Sequence, residues 1–123
     1  MKQHVRSFTG LISWQEARRL TLSVYQATSL FPKNEIYGLT SQMRRAAVSV
    51  CSNIAEGFSR KSRAEKIQFY TIAKSSLTEL QNQLIISLDV HYLDKEVFQR
   101  ISLVSVGCCK LLSGLIRTAE NKQ

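Results

Sequence analysis

Residues 39–58 read as one helix with too little charge to stand in water on more than a narrow stripe. At 100° per residue, Leu39, Met43, Ala46, Val50, Ile54 and Gly57 fall on one face. Val48, Cys51 and Ala55 gather on a second arc, where a lone surface helix would carry charge. Gln42, Arg45, Ser49, Asn53 and Glu56 form a third, polar stripe. A helix apolar on two arcs needs cover on two sides. The pattern therefore predicts a helical bundle whose second arc meets another subunit. The alternative is that Ala and Cys stand half-exposed, which costs little.

The remaining sequence supplies the other helices. Ser13-Trp14-Gln15-Glu16 matches a capping box, in which the serine hydroxyl and the glutamate each satisfy an orphaned amide. Trp14, Ala17, Thr21, Val24, Thr28 and Phe31 then recur at helical spacing, and Pro32 cannot continue the helix, so it spans 14–30. The preceding segment, Val5 to Ile12, is apolar but has no clear period. Ser62 and Glu65 form another capping box before Phe69, Ala73, Leu77, Leu80, Leu84, Leu88 and His91, which predicts a helix over 63–90. Ile67, Ile72, Ile85 and Ile86 widen its apolar surface beyond one seam. Asp94 is the expected N-cap of a helix over 95–118, with Val97, Ile101, Val104, Cys108, Leu111 and Leu115 on its face. Gly107 and Gly114 within it are expected to allow close helix approach. No segment alternates with a strand period. Residues 1–123 are thus expected to form a single all-α domain, an antiparallel up-down-up-down four-helix bundle.

Charge narrows the functional classes. Seventeen Lys and Arg against nine acidic residues give a formal +8 and a pI near 9.8, which favours a polyanionic partner such as RNA or DNA. Arg60, Lys61, Arg63 and Lys66 cross the loop between the second and third helices and form either a phosphate contact or a solvated loop. Arg18, Arg19, Arg44 and Arg45 are further candidates. Trp14, Tyr25, Phe31 and Phe69 fall on core faces, so backbone contact is favoured over base reading. Asn53 and Glu56 are read as groups that fix helix register, alongside Val48, Cys51 and Ala55 at the subunit contact. Cys51, Cys108 and Cys109 have no metal-ligand spacing and behave as small hydrophobes, which fits a reducing, cytoplasmic setting. No signal-peptide pattern is seen, and no apolar run approaches the ~20 residues that cross a bilayer. His4 and His91 stand apart without a carboxylate pattern, and phosphate-loop and metal motifs are missing. The expectation is a soluble protein without catalysis, cofactor or metal.

Tyr37-Gly-Leu-Thr-Ser-Gln-Met-Arg-Arg-Ala-Ala-Val-Ser-Val50, followed by Ser52-Asn-Ile-Ala-Glu-Gly57, resembles the core motif of the bacterial "four helix bundle proteins". These are associated with intervening sequences of the large-subunit ribosomal RNA gene. The likeness runs from Trp14 to Ile116 and includes Phe31-Pro32, Ala73-Lys-Ser-Ser-Leu-Thr-Glu-Leu80 and Gln83-Leu84. Cys51 departs from a usual proline and Ser75 from a usual glycine. The resemblance implies a homo-oligomer, a pentameric ring with a central channel. It also implies kinship with accessory variability proteins of diversity-generating retroelements, which bind a reverse transcriptase and its nucleic acid. Two functions follow as expectations: a basic accessory protein that binds RNA or DNA, or a protein-interaction scaffold of the intervening-sequence type.

Overall fold

A computed structural model describes residues 5–121, which form four helices, two short 3-10 turns and no strand. The helices are α1 (Ile12–Thr28), α2 (Leu39–Ser59), α3 (Arg63–Asp89) and α4 (Lys95–Asn121). Each packs on two neighbours in the cyclic order α1-α2-α3-α4. Cross-helix bonds link neighbouring helices: Thr21 Oγ1 to the Ala47 carbonyl at 3.2 Å, Ser49 Oγ to Ser76 Oγ at 2.8 Å, and Gln81 Nε2 to Ser105 Oγ at 3.2 Å.

Two of the three expected caps form. Ser62 Oγ accepts the Glu65 amide at 3.1 Å and donates to Glu65 Oε1, so the box closes through the hydroxyl. Asp94 Oδ1 accepts the Val97 amide at 2.8 Å. The box expected at Ser13 and Glu16 does not exist. A 3-10 turn at Phe8–Gly10 delivers Leu11 in extended geometry as the N-cap of α1, which places Ser13 inside the helix. Its hydroxyl is buried without a partner, while Glu16 pairs with Arg19 at 3.1 Å. The periodless segment before α1 earns its order by packing, with Phe8 meeting Trp14 edge-on at 5.2 Å.

The core takes Ala17, Leu20 and Val24 from α1, Met43, Ala47, Val50 and Ile54 from α2, Leu77, Leu80 and Leu84 from α3, and Ile101, Cys108 and Leu112 from α4. The face of α2 follows its expected angle. Three details of the other helices differ. Tyr70 is buried where Phe69 was expected, Leu112 takes the place of Leu111 and Leu115, and His91 leaves the core face altogether. His91 lies just past α3 at φ 67, where the Tyr92 and Leu93 amides bond back to the Ser87 carbonyl. That left-handed geometry ends a helix best with glycine. His91→Gly is expected to raise stability by up to ~1 kcal/mol in denaturant titration, and His91→Val to lower it. His4 lies outside the described residues.

Close approach occurs at a different glycine from those expected. A Cβ at Gly107 would meet nothing within 4 Å, and at Gly114 only the Arg117 guanidinium at 3.8 Å. At Gly57 it would come within 2.5 Å of the Tyr70 ring. By length and composition alone, helix α4 is long and apolar enough to cross a membrane. Only 22% of its most apolar window is buried in the protomer.

One end of the bundle is tied by a carboxylate. Glu35 Oε1 accepts the Leu39 amide at 3.1 Å, capping α2, and Glu35 Oε2 accepts the Tyr92 hydroxyl at 2.8 Å from the α3–α4 connection. These bonds hold the Glu35 carboxyl below its ordinary value of 4.5 and push the Tyr92 phenol up. A depressed folded-state pKa stabilises above the unfolded value and is lost as pH falls through the folded one. Thermal stability is therefore expected to drop below pH 4.5, and Glu35→Gln to shrink that acid-side drop.

Candidate functional site

The outer side of α2 carries the polar chemistry, and Arg45 divides it into two clefts. Between α2 and α3, Gln42, Arg45, Ala46, Ser49, Ser76 and Glu79 line a cleft of about 440 Å³. Arg45 and Glu79 share this cleft without forming an ion pair. Asn53 Nδ2 donates to Ser49 O at 2.8 Å and to Ser49 Oγ at 3.0 Å, and Ser49 in turn meets Ser76. Asn53 thus supports Ser49 within α2, and Ser49 makes the bond to α3.

Between α1 and α2, Tyr25, Arg44, Arg45, Val48, Ser49, Ser52 and Asn53 line a cleft of about 490 Å³ that contains no carboxylate. Arg44 is fixed there. Its Nε donates to Thr28 Oγ1 at 2.9 Å, one Nη donates to the Tyr25 carbonyl at 3.4 Å, and its guanidinium lies 4.6 Å from the Tyr25 ring centroid. Tyr25 is 42% exposed, which corrects its expected place in the core. It sits on the flank of α1 that faces Arg44, one residue beyond buried Val24. Phe31 is buried as expected, while Trp14 and Phe69 are half-buried.

The basic run after α2 is largely engaged in architecture. Lys66 Nζ donates to the Phe58 carbonyl at 2.8 Å and the Gly57 carbonyl at 3.3 Å, closing the C-terminus of α2. Arg60 pairs with Glu56 at 2.8 Å and stacks on Phe69 at 4.6 Å, which binds Glu56 within its own helix. Arg63 donates to the Glu120 carbonyl of α4 at 3.0 Å. Lys61 is exposed. Arg60, Arg63 and Lys66 thus each make contacts within the protomer. Arg18 is exposed on α1, and Arg19 is paired with Glu16.

The second arc of α2 is partly covered by α1. Cys51 Sγ lies 3.4 Å from Thr21 Oγ1 and packs on the core, and Ala55 is half-buried. Val48 remains 41% exposed. Larger apolar groups stand uncovered on α3 and α4: Ile72, Ile85, Ile86, Val106 and Leu103, the last 77% exposed. Burial pushes the Cys108 thiol up to about 12 and raises Cys51 as well. Because the thiolate is the reactive form, Cys108 is expected to resist thiol reagents near pH ~8 until the protein unfolds. Mass spectrometry of the labelled native protein checks this. Among the described residues, no three His, Cys, Asp or Glu side chains gather as a metal site.

Comparison with known proteins agrees with this architecture. The fold is similar to a protein with unknown function from the S23 ribosomal protein family of Bacteroides thetaiotaomicron VPI-5482. The two share 22% identity at a TM-score of 0.80, over 87% of this chain and 100% of the other, a likeness of fold alone. No curated protein matches the chain. The pattern of the 23S rRNA-intervening sequence proteins matches residues 9–114, nearly the whole bundle, and the chain belongs to that family.

Proposed function

We propose that this protein is a non-catalytic, cytoplasmic, homo-oligomeric accessory protein that binds the phosphate backbone of RNA or DNA. The observation that carries the reading is the α1–α2 cleft, where Arg44 and Arg45 converge with no carboxylate, on a chain of formal charge +8. Arg44 is held in place before any ligand arrives, so little freedom is lost on binding. The intervening-sequence family points toward ribosomal RNA as one source of the polyanion, and a reverse transcriptase is the partner that the retroelement kinship suggests.

Assembly in this reading uses the opposite side of the protomer. Ile85 on α3 and Leu103 and Val106 on α4 are exposed apolar side chains of the helix pair that the Gln81–Ser105 hydrogen bond joins. A second copy of the chain covers them, and closed rings, including the pentamer, follow when such contacts repeat around an axis. The low burial of α4 supports this. The α1–α2 cleft then stays open on each subunit.

Fluorescence anisotropy with labelled RNA and DNA tests the proposal. Binding is expected at about 50 mM salt and should weaken steeply as salt rises. Absence of binding to both nucleic acids at that salt would overturn it.

A further inference from the structure

Tyr25, Arg44, Arg45 and Ser52 suggest more than a backbone contact. We infer that the α1–α2 cleft takes one unstacked nucleotide of a single strand, its base lying on the Arg44–Tyr25 pair and its phosphate against Arg45. This rests on the nucleic-acid reading and deepens it by naming the site and the kind of strand.

Arg44 is the fixed element of the cleft. Bonds to Thr28 Oγ1 and the Tyr25 carbonyl hold the guanidinium over the Tyr25 ring at 4.6 Å, leaving one Nη without a partner among the described residues. A guanidinium plane pinned on an aromatic ring is a surface on which any base can stack, since every base has a π-face. Val48, exposed beside it, adds an apolar wall. Ser52 provides hydroxyl chemistry at the rim, and Asn53 keeps Oδ1 as an acceptor while its amide nitrogen is committed to Ser49. Arg45 is exposed on the ridge, has no ion pair, and is placed to meet the phosphate. A cleft of about 490 Å³ is in the size range of small-molecule sites. Paired bases remain stacked inside a duplex, so only an unpaired base can reach the Arg44 plane.

The test compares labelled oligouridine with an RNA hairpin of equal phosphate count, together with crosslinking by oligouridine containing 5-iodouridine. The single strand is expected to bind more tightly, and the crosslink to fall on Tyr25. Tyr25→Ala and Arg44→Lys should each weaken single-strand binding about tenfold and hairpin binding by much less, because charge is kept while the stacking surface is lost. Ser52→Glu, at an exposed position, serves as a second variant that does not touch the Arg44 contacts, and should also weaken the single strand selectively. Equal binding of the two RNAs, unchanged Tyr25 and Ser52 variants, or crosslinks elsewhere would overturn the inference while leaving the general reading in place. Failure of both RNAs and of single-stranded DNA to bind the wild type at about 50 mM salt would instead remove the general reading itself.

Discussion

Gly57→Ala is expected to destabilise the bundle, although the same change in an open helix would stabilise it. The new methyl group would lie 2.5 and 2.7 Å from two carbons of the Tyr70 ring and 3.2 Å from Phe69 Cβ. Tyr70 is only 3% exposed, so its ring has no free space into which to turn. Overpacking of this kind costs up to ~3 kcal/mol, against a helix-propensity gain of ~1 kcal/mol. The clash wins, with a net loss of ~2 kcal/mol. Equilibrium urea denaturation reads this directly, and a variant as stable as the wild type would mean that the α2–α3 contact is looser than described. The same contact explains why the Asn-Ile-Ala-Glu-Gly ending of α2 is architecture: Asn53 braces Ser49, Ile54 fills the core, and Gly57 admits Tyr70.

Leu103→Glu is expected to dissociate the assembly while leaving each subunit folded. Leu103 is 77% exposed in the protomer, so the substitution costs the isolated fold little. At a contact between copies it would bury an unpaired carboxylate, which is strongly unfavourable. Light scattering at micromolar concentration should then fall from an oligomer to a 14.0 kDa particle, with helical circular dichroism unchanged. Ile85→Glu should act in the same way, whereas Val48→Glu, on the α1–α2 side, should leave the assembly intact. If Val48→Glu dissociates the protein and Leu103→Glu does not, the second arc of α2 is the interface, as its sequence pattern alone suggests.

Much of the architecture was legible because helical period and caps are local signals. Ser62 and Asp94 lie next to the helices they start, and the angular count separates the core face of α2 from its polar stripe. The Ser13 box misled because an equally local pattern competed with the packing of Phe8 on Trp14, which sets where the chain enters α1. His91 shares the spacing of the α3 face, but periodicity carries no information about where the backbone turns left-handed.

The candidate site was less legible because it depends on pairs distant in sequence. Arg44 and Arg45 were singled out by charge, yet what separates them from Arg60, Arg63 and Lys66 is tertiary: the first two share the α1–α2 cleft with Tyr25, and the latter three contact helix ends. Tyr25 looked like core because it adjoins Val24, and only the crossing of α1 over α2 brings it under Arg44. An aromatic residue one position off a core stripe, opposite an arginine on the next helix, is the signal that could have marked it.

The account depends most on Arg45 meeting phosphate from the open side of α2. The direct measurement is the slope of log affinity against log salt for wild type and Arg45→Gln with the same RNA. The account predicts a negative slope for the wild type that becomes shallower by about 1 in the variant, as expected for loss of one phosphate contact. A wild-type affinity that does not respond to salt, or a variant with the same slope and affinity as the wild type, would contradict it.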